Sequence, residues 1–222
     1  MGKCKSCKKE SLLISSSLSL CVDCIRNDFS NVLSDTEEVH AKARKIFNLP
    51  LKVPRDPIGI KCSFCVNACR VRNGKRGFCG LPIDARKDAA VSWYYDPLPT
   101  NCVAGWVCGG SHDTGYNNLA VFYNACSFNC LFCQNWHFRK ANLTKKISAE
   151  DLAKKVNTRT SCICYFGGDP TPQLVHSLLA SRIAKNDNKD SPLRICWETN
   201  GSMTKGYLKE MRFVFIVEVT KD

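Results

Sequence analysis

Sixteen cysteines in 222 residues, most of them spaced two or three apart, set the strongest limit on what this chain can fold into. A short segment built on C-x2-C pairs has too few apolar residues to order itself and folds around a metal instead. Cys4-x2-Cys7 and Cys21-x2-Cys24 make two such pairs, 13 residues apart, enough for four thiolates to close a tetrahedron. Structural zinc is expected there, with a single iron in the same cage as the rival. A helix should follow, with Ser34 and Glu37 as a capping box and Val39, Ala43, Ile46 and Phe47 on one face. His40 lies off that face and reads as a helix residue, not a ligand. Pro50, Pro54 and Pro57 then stiffen a linker.

A second group, Cys62-x2-Cys65-x3-Cys69, is joined by Cys79 after Gly74, Gly77 and Phe78. Four thiolates suffice for a closed site, and the spacing leaves zinc and iron–sulfur both open. Arg70, Arg72, Lys75 and Arg76 lie in the same loop. They offset the charge of a tetrathiolate centre or face a macromolecular partner. Cys102 and Cys108 frame Val103–Val107 and read as buried thiols or as late recruits to a further metal site, and Cys162, Cys164 and Cys196 read as small hydrophobes on strands.

The third group differs in kind. Cys126-x3-Cys130-x2-Cys133 follows the strand-like run Leu119–Tyr123 and has no fourth cysteine at a matching interval. Three thiolates on one loop hold three irons of a [4Fe–4S] cubane and leave the fourth open, the mark of a reactive centre. From here the chain alternates strand and helix. Ser148-Ala149-Glu150-Asp151 has capping-box form, with Leu152 and Val156 on one face behind it. Residues 161–168 read as a strand, and Thr171-Pro172 opens a helix with the stripes Leu174, Leu178 and Val175, Leu179, Ile183. Residues 193–198 and 213–219 read as further strands. That order predicts right-handed parallel βαβ units, with ligand sites in the loops after the strands.

These residues resemble the radical S-adenosylmethionine (SAM) superfamily. The match lies in Cys126, Cys130 and Cys133 with Phe132 at its aromatic place, in Gly167-Gly168-Asp169-Pro170 at its GGE element, and in Glu198-Thr199-Asn200-Gly201 at the strand end of the pyruvate formate-lyase activating enzyme-like branch. Aspartate at 169 departs from the usual glutamate. Together the matches cover about residues 118–202. The resemblance implies a [4Fe–4S] cluster on the three cysteines and SAM held through Gly167, Gly168 and Asp169. It also implies Phe132 beside the adenine, and Glu198 and Asn200 as further contacts. The implied reaction is that of an oxidoreductase, with reductive SAM cleavage to a 5′-deoxyadenosyl radical that takes a hydrogen atom, the activating branch pointing to glycine in a partner protein. An electron donor such as flavodoxin or ferredoxin would supply the electron.

The expected fold class is therefore α/β, a partial radical SAM βα barrel behind small cysteine-rich modules. Residues 1–49 form a zinc-ribbon-like module with its helix, 50–117 a cysteine-rich lead-in with a second metal site or iron–sulfur cluster, and 118–222 the first half of a barrel. Only about three and a half of the six expected βα units are in the sequence, and Val219-Thr220-Lys221 poorly echoes the Asp-Leu-Lys strand end of the activating branch. A truncated or split member, repaired by self-association or a second-half chain, is the expectation. No apolar run approaches the ~18 residues of a membrane span, and grouped cysteines without an export signal point to the reducing cytoplasm. Net charge is +12, but the surplus is spread: 8 Lys and Arg against 6 Asp and Glu in residues 1–50, 9 against 5 in 51–117, and 15 against 9 in 118–222. That spread argues against nucleic acid as the main partner. The alternatives are a zinc-ribbon adaptor for RNA or protein, or an electron carrier without SAM turnover.

Overall fold

The computed structural model describes residues 1–83, 88–100, 105–140, 143–191, 193–212 and 217–219. It forms two compact units, Met1–Lys52 with Cys130–Phe132, and Val53–Asn129 with Cys133–Asp222.

In the first unit, β1 (Gly2–Lys3) pairs antiparallel with β2 (Glu10–Ser11), and α1 (Val22–Asn27) and α2 (Phe29–Ile46) follow. Its core is small: Cys4, Ile14, Leu20, Cys21 and Val32. Two of those five residues are cysteines, so there is little apolar surface to hold the unit without a ligand. The helix begins at Phe29, and Ser34 lies inside it. The capping box expected at Ser34 and Glu37 therefore does not start this helix; the N-cap is Asp28, which makes no capping hydrogen bond, its carboxylate accepting instead from the Asn31 side-chain amide at 2.8 Å. The expected apolar face shifts as well. Val32 is buried, while Ile46 is 79% exposed.

The second unit opens with a hairpin, β3 (Ile60–Lys61) against β4 (Arg70–Val71). Then come β5 (Asp88–Ala89), β6 (Val91–Pro97), β7 (Asn117–Tyr123), β8 (Ile147–Ser148), α3 (Ala149–Ala153), β9 (Thr160–Gly167), α4 (Leu174–Asp187), β10 (Arg194–Thr199), α5 (Lys205–Arg212) and β11 (Val217–Val219). Five strands make one sheet in the order β11-β10-β9-β7-β6. β7, β9, β10 and β11 run parallel, and β6 is antiparallel to β7. The α/β class expected from the sequence is present. Among the described residues the sheet is open, and no closed barrel is seen.

Side chains alternate between the two faces of a strand, so the register assigns each residue to a layer. Leu119, Val121, Ile163, Tyr165, Ile195 and Trp197 point to one face and form a buried core with Leu152, Leu174 and Leu178 of the helices. Burying each such large side chain is worth about 1.5–3 kcal/mol, which holds α3 and α4 on that face. Ser148 caps α3, its hydroxyl accepting from Asp151 N at 3.0 Å. The helix stops at Ala153, so Val156 lies beyond it and packs against the core from the following turn. Pro172 sits in a short 3-10 turn, Thr171–Gln173, that leads into α4. Among the described residues no helix is long and apolar enough to cross a membrane.

The opposite face is built in rows. Asp96, Asn118, Cys162 and Arg194 align across β6, β7, β9 and β10, and Tyr94, Ala120, Cys164 and Cys196 form the next row. Ser92, Phe122 and Phe166 lie above them, toward the carboxyl ends of β7 and β9.

Candidate functional site

The cysteine loop leaves β7 at its carboxyl end. Cys126 is buried, Cys130 and Cys133 are half-buried, and Phe132 is 79% exposed. Asn129 takes φ +65°, a left-handed turn that asparagine tolerates, just before Cys130. Two donors reach the Cys126 sulfur, Phe128 N at 3.4 Å and Asn200 Nδ2 at 3.8 Å. Hydrogen bonds of this kind stabilise a thiolate and tune a cluster bound to it.

The next turn packs directly on that loop. Gly168 N donates to Tyr123 O at 2.9 Å and Asp169 N to Ala125 O at 2.8 Å. Gly167 has φ +108°, and a Cβ there would stand 2.7 Å from Tyr123 N. A Cβ on Gly168 would stand 2.4 Å from Ala125 O. Both glycines are required by the close approach of two backbones. With these N–H groups engaged, the turn offers a ligand its carbonyl oxygens, acceptors suited to an amino group.

Asp169 is only 2% exposed and sits at the centre of a hydroxyl network, away from the surface of the cleft. Its Oδ1 accepts from Thr199 Oγ1 at 2.7 Å, Thr171 Oγ1 at 3.3 Å and Asn200 N at 3.4 Å, and its Oδ2 accepts from Ser127 Oγ at 3.1 Å. Burial raises the carboxyl above its ordinary value, against the pull of these donors. Ser127 also receives Asn200 Nδ2 at 2.9 Å and meets Ser202 Oγ at 2.7 Å. Asp169 thus ties the residue after Cys126 to the turn after β10. A third segment joins them, because Asn67 Nδ2, from the second cysteine group, donates to Ser127 O at 2.8 Å.

Beside these turns lies a cleft of about 440 Å³ whose lining includes Tyr94, Phe122, Asn124, Asn135, His137 and Phe166. Phe122 stacks on His137 with ring centroids 5.2 Å apart and meets Phe166 edge-on at 5.4 Å. That volume and aromatic lining suit a flat heterocycle. Sequence reasoning passed over Tyr94, Phe122, Phe166 and His137. Glu198 faces the inner side of the sheet, where burial raises its carboxyl and Cys164 Sγ lies 3.7 Å from its Oε1. Cys102 lies outside the described residues.

The four N-terminal cysteines converge. The sulfurs of Cys4, Cys7, Cys21 and Cys24 all lie within 4.8 Å of one another, with Cys4 to Cys24 at 3.9 Å and Cys7 to Cys21 at 3.6 Å. A tetrahedron with metal–sulfur bonds of ~2.3 Å has sulfur–sulfur edges of about 3.8 Å, so the four fit one ion. Burial alone would raise the Cys4 thiol, but N–H groups of Cys21, Cys7 and Ser6 bring it down to about 6. Among the described residues neither of the other two groups closes in this way. Cys62, Cys65, Cys69 and Cys79 do share one region. Cys62 N bonds Cys69 O at 2.7 Å, Phe78 N donates to Cys69 Sγ at 3.3 Å, and burial with its thiol neighbours pushes Cys65 up to about 11. A cubane binds each of its cysteines to a different iron, so a single-ion spacing is no test of Cys126, Cys130 and Cys133.

A mostly parallel sheet with a ligand-sized cleft and a three-cysteine loop at its strand ends places the chain in the α/β class, with the cleft where such folds bind ligands. A sequence model of the radical SAM superfamily matches residues 120–219, which supports a domain of that superfamily here and, with it, an iron–sulfur cluster and SAM. An uncharacterized protein of Methanocaldococcus jannaschii is 26% identical over 189 residues, covering 80% of this chain and 48% of its own length. The chain thus spans about half the length of that curated relative. No solved structure matches.

Proposed function

We propose that the chain is a radical SAM iron–sulfur protein of the activating-enzyme-like branch, working in the reducing cytoplasm. The observation that carries this reading is the direct bonding of the Cys126 loop to the Gly167-Gly168 turn and to Asn200. Cys126, Cys130 and Cys133 would hold the [4Fe–4S] cluster, and the Gly167-Gly168 carbonyls the amino end of SAM. When bound, these two groups supply one-electron cleavage of the S–C5′ bond and a radical able to abstract hydrogen. The chain's own residues do the positioning. Asp169 fixes the loop through Ser127, Asn200 donates to the Cys126 sulfur, and the Phe122–Phe166 pair walls the cleft against water. Phe132, on the same loop as the cysteines, would cover the adenine. Cys4, Cys7, Cys21 and Cys24 would hold structural zinc in a ribbon, and Cys62, Cys65, Cys69 and Cys79 a second metal or cluster. The reductant is a low-potential donor of the flavodoxin or ferredoxin class, and the substrate a C–H bond of a partner protein, such as a glycine.

Anaerobic reconstitution followed by iron and zinc analysis and a 5′-deoxyadenosine assay tests this. The expected result is a SAM-responsive [4Fe–4S] spectrum that alanine at Cys126, Cys130 and Cys133 abolishes while zinc stays bound. A triple variant that keeps the SAM-responsive signal would refute the assignment.

A further inference from the structure

Cys65 and Cys69 are both buried, and the residues between them, Val66, Asn67 and Ala68, face the turn after β10 and the start of the three-cysteine loop. Their backbone is held from two sides. Ala68 takes φ +42° and its N–H donates to Cys65 O at 3.0 Å, closing a turn, while Cys62 N donates to Cys69 O at 2.7 Å. Arg55 Nη1 donates to Asn67 O at 2.6 Å and to Ala68 O at 2.8 Å. On the other side Val66 N donates to Ser202 O at 2.9 Å and Thr204 N to Phe64 O at 3.1 Å. Phe64 also stacks on Tyr207 with ring centroids 5.3 Å apart. A short side chain on so braced a turn is aimed by its backbone.

Asn67 is aimed at one peptide. Its Nδ2 donates to Ser127 O at 2.8 Å, and because a carbonyl only accepts, the amide nitrogen must be the atom that faces it. Ser127 O and Phe128 N belong to the same peptide unit, which is planar and stiff, with its C=O and N–H pointing opposite ways. Phe128 N is a donor to Cys126 Sγ, at 3.4 Å. Holding the oxygen therefore holds the N–H on the sulfur. A hydrogen bond accepted at the oxygen also polarises the peptide and makes its N–H the stronger donor. The bonds that Ser127 Oγ makes to Asp169, Asn200 and Ser202 hold the side chain of that residue but leave its carbonyl to Asn67.

We propose that Asn67 is a positioning residue for the cluster site: its side-chain amide orients the Ser127–Phe128 peptide so that the Phe128 N–H stays on the Cys126 sulfur and raises the reduction potential of the cluster bound there. The direction follows from electrostatics. A donor dipole aimed at a ligand sulfur favours the state that carries the extra electron. The inference rests on the iron–sulfur reading of Cys126 and is independent of SAM cleavage and of the substrate. It gives residues 62–79 a part in the site that does not depend on what their own cysteines bind.

The test compares the full chain with Asn67→Ala, Asn67→Leu and Asn67→Gln. Leucine keeps much of the bulk of asparagine without a donor, and glutamine keeps the amide on a longer stem. In the reduced, iron-free proteins, NMR with labelled phenylalanine follows hydrogen exchange at the Phe128 amide. Exchange should quicken about tenfold in the alanine and leucine variants, as for the loss of one hydrogen bond, and less in the glutamine variant. After anaerobic reconstitution, a redox titration read by electron paramagnetic resonance gives the midpoint potential. In the two donor-free variants the ratio of oxidised to reduced cluster at a fixed potential should rise about tenfold, a midpoint ~59 mV more negative. Glutamine should lie nearer the wild type. A residue that served packing alone would change how much cluster forms and not its potential. Unchanged exchange at Phe128, or an unchanged potential in the cluster that forms, overturns the proposal. A wild type that takes up no [4Fe–4S] cluster fails at the iron–sulfur reading itself and removes this role with it.

Discussion

Replacing Asp169 separates a network hub from a cofactor ligand. Its Oδ1 collects three donors and its Oδ2 one. Asparagine keeps Oδ1 for Thr199, Thr171 and Asn200, and its amide can donate to Ser127 Oγ where the carboxylate accepted. Alanine removes every acceptor and leaves a void. An unsatisfied buried donor costs ~1–3 kcal/mol. Thr171 and Thr199 already lie 3.2 Å apart and Ser127 has Ser202 at 2.7 Å, so part of that loss is recovered. The net expectation is about 2–4 kcal/mol for Asp169→Ala and under about 1 kcal/mol for Asp169→Asn at pH 7. The sign with pH follows from the raised carboxyl. Its stabilising contribution is fully present below the unfolded value of 3.8 and is lost as pH rises through the higher native one, so Asp169→Asn gains on the wild type toward neutral pH. Urea unfolding at constant slope, with iron loading of each variant beside it, measures this. If Asp169→Asn proves as damaging as Asp169→Ala, the charge itself is needed and the hub reading is wrong.

Two further changes probe the frame of the site. His176 is buried on α4 with its Nδ1 2.8 Å from the Tyr123 hydroxyl, and burial brings it from 6.5 down to about 4. Its contribution is present above pH 6.5 and lost as pH falls toward 4, so moving from pH 7.5 to 5.0 should cost about 2 kcal/mol. Unfolding curves of His176→Phe should lack that pH-dependent component, and an equal pH loss in the variant would disprove it. Gly168→Ala should push the turn off Ala125 and impair iron loading at the three-cysteine loop, so full loading in iron analysis would show that the contact yields easily.

Much of this fold was legible because its strands are apolar runs ended by clear turn signals. Residues 119–123, 161–168 and 193–198 fall on β7, β9 and β10, and Thr171-Pro172 marks the approach to α4. β6 escaped notice because Val91-Ser92-Trp93-Tyr94-Tyr95 is a half-exposed edge strand that reads like a loop rich in aromatics. The start of α2 was hidden because Asp28 both ends α1 and precedes Phe29, leaving no spacer to read. At the site, spacing alone grouped the cysteines. Which way Cys162, Cys164 and Cys196 face depends on register across three strands, and the acceptor role of Asp169 on partners 30 and 42 residues away. Neither is visible in a local window.

The network around Ser127 also fixes an order of events. Its bonds to Asp169 and Ser202 span 42 and 75 residues, and the Asn67 bond to its carbonyl spans 60. Contacts so distant along the chain pay their closure entropy late, after the local turns and helices have formed. The pocket behind Cys126 is consequently a product of folding, completed only when β7, β9 and β10 stand side by side. Iron offered to a nascent chain would meet a loop without its Asn200 donor, whereas iron offered to the finished sheet would meet that donor already in place.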